Sequence, residues 1–182
     1  MTWLHSVFLW FYCQKLSNAA LLVVGVSVLF LLFNHWLKRW RAWRAAVFCL
    51  LLIGLAAILW STIWSRTPDE TARETVLIPF YSYYTVLIGG EPELLRSNFM
   101  NVLLFYPAGL FAGVLLPRGW PVPKKVLCVA ALFGILSVGI EFAQYFCQIG
   151  RAETDDVIHN TLGASLGGLA AGVAGKCKFG QN

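Results

Sequence analysis

"VLCVAALFGILSVGIEFAQYFCQIG", residues 126–150, carries a single charged side chain, Glu141. A helix needs about 20 apolar residues to cross a bilayer, so this run predicts a transmembrane span. Glu141, Gln144 and Gln148 stand at i, i+3 and i+7 and therefore share one face of it. A charge inside a span is costly unless it is paired, protonated or turned towards a wet cavity. The polar groups do not stop there: "RAETDDVIHN" follows at 151–160. Asp156 and Asn160, at i and i+4, share a face with Gly163 and Gly167 further along.

The rest of the chain agrees with a membrane setting. Of its 182 residues 58% are hydrophobic and 13% charged, with a mean hydropathy of +0.67. Soluble domains carry about twice that share of charge. Four further runs, 16–37, 45–65, 97–117 and 157–175, carry no Asp, Glu, Lys or Arg. A buried core in a soluble protein would need water-facing polar faces, which these runs lack. The fold class predicted is all-α, a polytopic transmembrane helix bundle of five spans with an N-terminal interfacial helix. Residues 1–15 are that interfacial segment, since Trp3, Trp10 and Tyr12 favour the headgroup zone. Residues 16–44 are a first span and basic cytoplasmic loop, 45–175 the main membrane domain, and 176–182 a cytoplasmic tail.

Charge sets the orientation. Lys38, Arg39, Arg41, Arg44, Arg118, Lys124, Lys125, Lys176 and Lys178 fall on one side, with no acid among them. Asp69, Glu70, Glu74, Glu91, Glu93, Glu153, Asp155 and Asp156 fall on the other. The positive-inside rule then predicts an outside N-terminus and a cytoplasmic C-terminus. Bases arranged this way are topology determinants, so nucleic acid is not an expected partner. The segment "VLIPFYSYYTVLIGG", 76–90, is too short to cross and is expected to be interfacial or re-entrant. The five cysteines are scattered, without a CxxC pair, and His159 lies off the Asn160 face. No metal site and no cofactor are expected. GxxxG pairs at Gly109/Gly113, Gly163/Gly167 and Gly168/Gly172 are expected to pack helices within the bundle, with a homodimer as the alternative.

Asn98 and Asn101 add amides near the outer end of their span, and Arg66, Arg96 and Arg151 sit at outer helix ends. Asn101 and these arginines compose, with Glu141, Gln144, Asp156 and Asn160, a candidate ligand site in the outer leaflet. Glu141 and Asp156 are the candidate catalytic carboxylates should the site turn over a ligand. The forked donors of arginine suit a phosphate or carboxylate. The purely structural alternative is a network in which Glu141 pairs with an arginine.

"RSNFMNVLLFYPAGL", "EFAQ" and "GRAETDDVIHNTLGASLGG", in that order and preceded by "TVLIPF", resemble the VanZ-like family of bacterial membrane proteins. The resemblance runs from about Ile58 to Gly172. Asn101, Pro107, Gly109, Glu141, Gln144, Asp156, Asn160 and Gly163 fall on the family's characteristic positions; Arg66, Arg96 and Arg151 match positions often basic in it. Ala108 departs from the pattern, standing where a bulky apolar residue is usual. The family is named for an accessory protein linked to resistance to the glycopeptide teicoplanin. The resemblance implies a cell-envelope protein, with membrane lipids, a lipid-linked wall precursor or a lipoglycopeptide as partners. The competing reading is an intramembrane hydrolase or transferase acting on a lipid headgroup.

Overall fold

The structure, a computed structural model, describes residues 43–68, 75–89 and 92–176, together with Gly25 and Ser27. The chain divides into two compact units, 1–40 and 41–182. Gly25 and Ser27, both helical, are all that is described of the first. The expected interfacial segment 1–15 and the first span 16–37 therefore lie outside the described residues, apart from those two positions.

Helix α1, Trp43–Leu59, continues into a π-helical turn at Trp60–Trp64. A two-residue strand β1, Thr75–Val76, precedes the short helix α2, Tyr81–Gly89. Helices α3, Pro92–Leu115, and α4, Val122–Cys147, follow. Strand β2, Ala152–Glu153, then leads directly into α5, Thr154–Lys176. Among the described residues four helices are long and apolar enough to cross a membrane: Trp43–Trp64, Glu93–Leu115, Val122–Cys147 and Thr154–Lys176. They coincide with the last four expected spans to within a few residues at each end. The 76–90 segment holds instead a nine-residue helix, about 14 Å long at 1.5 Å per residue and too short to cross.

Small residues decide how the bundle closes. A Cβ at Gly109 would lie 2.1 Å from the Ala164 carbonyl oxygen, and one at Gly163 would lie 2.3 Å from that of Val102. Both separations are below contact distance, so α3 and α5 touch backbone to backbone as parallel neighbours. Gly167 packs likewise on Tyr106 and Leu110, while Gly168 and Gly172 meet Val129 and Val122 of α4. The GxxxG faces are thus packed against neighbouring helices among the described residues. Ala108 finds its reason here too. It is fully buried and faces Gly54, letting α1 approach α3 where a bulky side chain would hold it off.

Phe105 and Phe133 meet edge-to-face at 6.2 Å between centroids, in a core with Ile58, Ile140 and Ala164. Outward-facing Ile53, Leu127, Ile135 and Phe146 are exposed, the surface a bilayer would cover. The all-α expectation needs one correction. Thr75 pairs with Ala152 and Val76 with Glu153 in a parallel two-residue ladder, which carries the α2 segment onto the α4–α5 turn.

Candidate functional site

The C-terminal ends of α1 and α4 and the N-terminal ends of α3 and α5 gather at one end of the bundle. At the opposite end Arg44 donates to the Leu115 carbonyl at 2.9 Å, closing α1 on the last turn of α3. Each terminus leaves backbone groups without helical partners, and the sequence supplies side chains for several of them. The π-turn is one such arrangement. Thr62 bends its hydroxyl back onto Ile58 O at 2.7 Å, and its carbonyl accepts from Gln144 Nε2 at 2.9 Å.

Glu141 is buried, and its Oε2 accepts the backbone N–H of Glu153 at 2.8 Å. It therefore fixes the β2 turn from below. Asp156, Glu153 and Arg66 lie near enough for their charges to act on it. Asn101 donates to Asp156 Oδ1 at 2.8 Å, joining α3 to the first turn of α5. Arg151 grips Glu153 through Nε at 3.1 Å and Nη2 at 3.0 Å. The Arg66 guanidinium crosses Gly150 so closely that a Cβ there would meet Nη1 at 2.4 Å. Glycine at 150 is what admits it.

These groups surround a cavity of about 260 Å³ lined by Arg66, Ser82, Leu94, Ser97, Asn98, Arg151, Glu153 and Asp156. Asn98 is 3% exposed, and its Nδ2 has no hydrogen-bond acceptor among the described residues. A buried amide donor left unmatched costs about 1–3 kcal/mol.

The predicted residues thus separate into two layers. Arg66, Arg151 and Asp156 line the cavity. Asn101 and Glu141 stand behind it, each holding a residue of the wall. Gln144 donates to Thr62 O and Asn160 to Ser137 Oγ at 2.8 Å inside the bundle, and neither is in the cavity lining. The expectation that Glu141 and Asn160 line the cavity themselves is corrected accordingly. Arg96 is exposed on the first turns of α3 and is not part of the lining. Among the described residues no three His, Cys, Asp or Glu side chains gather as a metal would need.

Asp155 is the residue that helical phase did not single out. It is 2% exposed. Its Oδ1 accepts from Phe80 N at 2.5 Å, and its Oδ2 from Ser82 N at 2.8 Å and from the Ser82 hydroxyl. The carboxylate caps the N-terminus of α2 from another helix, as a local N-cap side chain would. Phe80, held at φ 61°, turns the chain into that cap. His159 completes the clamp, with Nδ1 donating to Asp155 O at 2.6 Å and Nε2 meeting the Tyr83 hydroxyl at 2.8 Å. The sequence signal was the acid at the first turn of a helix, but its partners lie 73 and 75 residues away.

A family model described as VanZ/LLP1 matches residues 45–174. "Protein VanZ" of Enterococcus faecium is 25% identical over 131 residues, which cover 70% of this chain and 74% of that protein. No solved structure matches. With the matched region spanning α1 to α5, the chain belongs to the VanZ/LLP1 family of membrane proteins.

Proposed function

We propose that this protein binds the polar head of an amphiphile in the cavity between α3, α5 and the α4–α5 turn, at the outer leaflet. The observation that carries the reading is the cavity itself, whose lining gathers Arg66, Arg151, Asn98 and Asp156 at the acidic end of the bundle. The outer-leaflet position is supported by the basic bias: Arg44, Arg118, Lys124, Lys125 and Lys176 belong to the other end, against Arg66, Arg96 and Arg151 at this one.

Size constrains the ligand. At about 30 Å³ per water, 260 Å³ corresponds to roughly nine waters. A lipid headgroup, or the phosphate end of a lipid-linked wall precursor, fits. A whole lipoglycopeptide does not, and would enter with one group only. A contribution to teicoplanin resistance rests on family membership alone. Binding is favoured over turnover because Glu141, the more deeply set carboxylate, is engaged by the Glu153 backbone outside the lining.

The test is native mass spectrometry of protein incubated with an envelope lipid extract. A discrete lipid adduct is expected on the wild type, reduced at least tenfold in Arg66→Gln and Asn98→Leu. Adducts of equal intensity in all three proteins would sink the reading, and a released headgroup fragment would shift it to the enzyme.

A further inference from the structure

The balance of charge in the cavity wall narrows the ligand class, provided the wall is a binding site as read above. Two guanidiniums, Arg66 and Arg151, face two carboxylates, Glu153 and Asp156. A simple anion would meet the carboxylates and a simple cation the guanidiniums. Neither suits a compact wall of both signs.

The carboxylates are not equivalent. Glu153 is held by Arg151 through two nitrogens. Asp156 accepts one hydrogen bond, from Asn101 on Oδ1. An ionised carboxylate has about four acceptor sites, so Asp156 keeps capacity for an N–H donor. Asn98, Ser97 and Arg66 lie in the same lining. The lining thus holds a guanidinium, Arg66, together with acceptor capacity at Asp156. Leu94 adds an apolar patch to the same wall.

We infer that the ligand is a zwitterion: a phosphate ester joined by a short link to a primary ammonium, the phosphate oxygens on Arg66 and the ammonium on Asp156. A phosphodiester presents more acceptor positions than a carboxylate to this group of donors. An ammonium offers three N–H donors to Asp156, where a quaternary ammonium offers none. The chemistry is that of an ethanolamine phosphate, carried by a membrane lipid or by a soluble ester.

The experiment follows thermal unfolding of the purified full chain in detergent. The titrants are dihexanoyl phosphatidylethanolamine, the matching phosphatidylglycerol and phosphatidylcholine, and soluble glycerophosphoethanolamine. A ligand that binds only the folded state raises Tm with its concentration, which yields Kd. The ethanolamine lipid is expected to bind at least tenfold tighter than the glycerol or choline lipid. Asp156→Asn, which keeps an oxygen for Asn101, should abolish that preference, and Arg66→Gln should weaken the ethanolamine and glycerol lipids alike. Glycerophosphoethanolamine equal to the ethanolamine lipid would assign the site to a soluble ester; weaker binding would assign it to the lipid. Equal Kd for the three lipids overturns the ammonium seat while leaving headgroup binding intact. No stabilisation by any of the four overturns both. Should Asp156→Asn fail to fold, the ranking of the three lipids on the wild type decides by itself.

Discussion

Asp155 and Glu141 are two buried carboxylates with the same task, holding backbone N–H groups of a turn. They differ in how many they hold. Asp155 takes the Phe80 and Ser82 amides and the Ser82 hydroxyl. Hydrogen bonds to a charged group contribute about 1.5–3 kcal/mol each, and a stranded buried donor costs about as much. Asp155→Ala is expected to destabilise the protein by about 3 kcal/mol or more and to free α2, seen as a lowered Tm and faster proteolysis near Tyr84. Glu141 takes one amide, which a glutamine oxygen can also accept. Glu141→Gln should therefore stay close to wild-type stability, while Glu141→Leu should lose about 1–3 kcal/mol. Equal melting temperatures for the two variants would contradict this. The helical spacing of Glu141 with Gln144, and of Asp156 with Asn160, was legible in the sequence because i+3 and i+4 neighbours share a face in any helix. The targets were not: Glu153 N, Thr62 O and Ser137 become neighbours only when the bundle closes. Asp155 was illegible for the same reason, since its partners sit on a segment far away in sequence.

At the scale of elements, the span positions follow from hydropathy alone, because length and apolarity are local properties. Which helices touch does not follow from it. The GxxxG patterns marked close approach without naming a partner, and the structure pairs α3 with α5 in parallel, flanked by α4. Replacing Gly163 by alanine should be severe: its Cβ would meet backbone atoms of Val102, which cannot move without α3. Overpacking typically costs about 1–3 kcal/mol, and a backbone neighbour puts Gly163→Ala at or above that range. Gly139 is the control within the same bundle, having nothing within 4 Å of an added Cβ. There alanine should be neutral or stabilise by up to about 1 kcal/mol, through helix propensity. Tm values of the two variants in one detergent check the contrast. The two-residue ladder escaped the sequence reading because Thr75–Val76 and Ala152–Glu153 are too short to show a strand period.

For the whole molecule, the four described candidate spans impose a parity: the start of α1 and the end of α5 share one side of the membrane. Arg44 at the first turn of α1 and Lys176 at the last residue of α5 carry positive charge to that side, with Arg118, Lys124 and Lys125 in and after the α3–α4 connection. Leu115, which takes the Arg44 hydrogen bond, ties the α1 and α3 ends together there. The opposite end bears the cavity, the clamp on α2 and the acidic residues of the α4–α5 turn. The basic bias predicts that the shared side is the cytoplasm. A reporter active only after export should be silent when fused behind Lys176 and active when inserted at Arg151. A single cysteine replacing Tyr84, in a cysteine-free background, should react with an impermeant maleimide added outside, because α2 is too short to cross and is latched to the acidic end by Asp155. Labelling at position 84 from the cytoplasmic side alone, with an active fusion behind Lys176, would invert the molecule. The cavity would then face the cytoplasm, and its ligand would have to come from the inner leaflet.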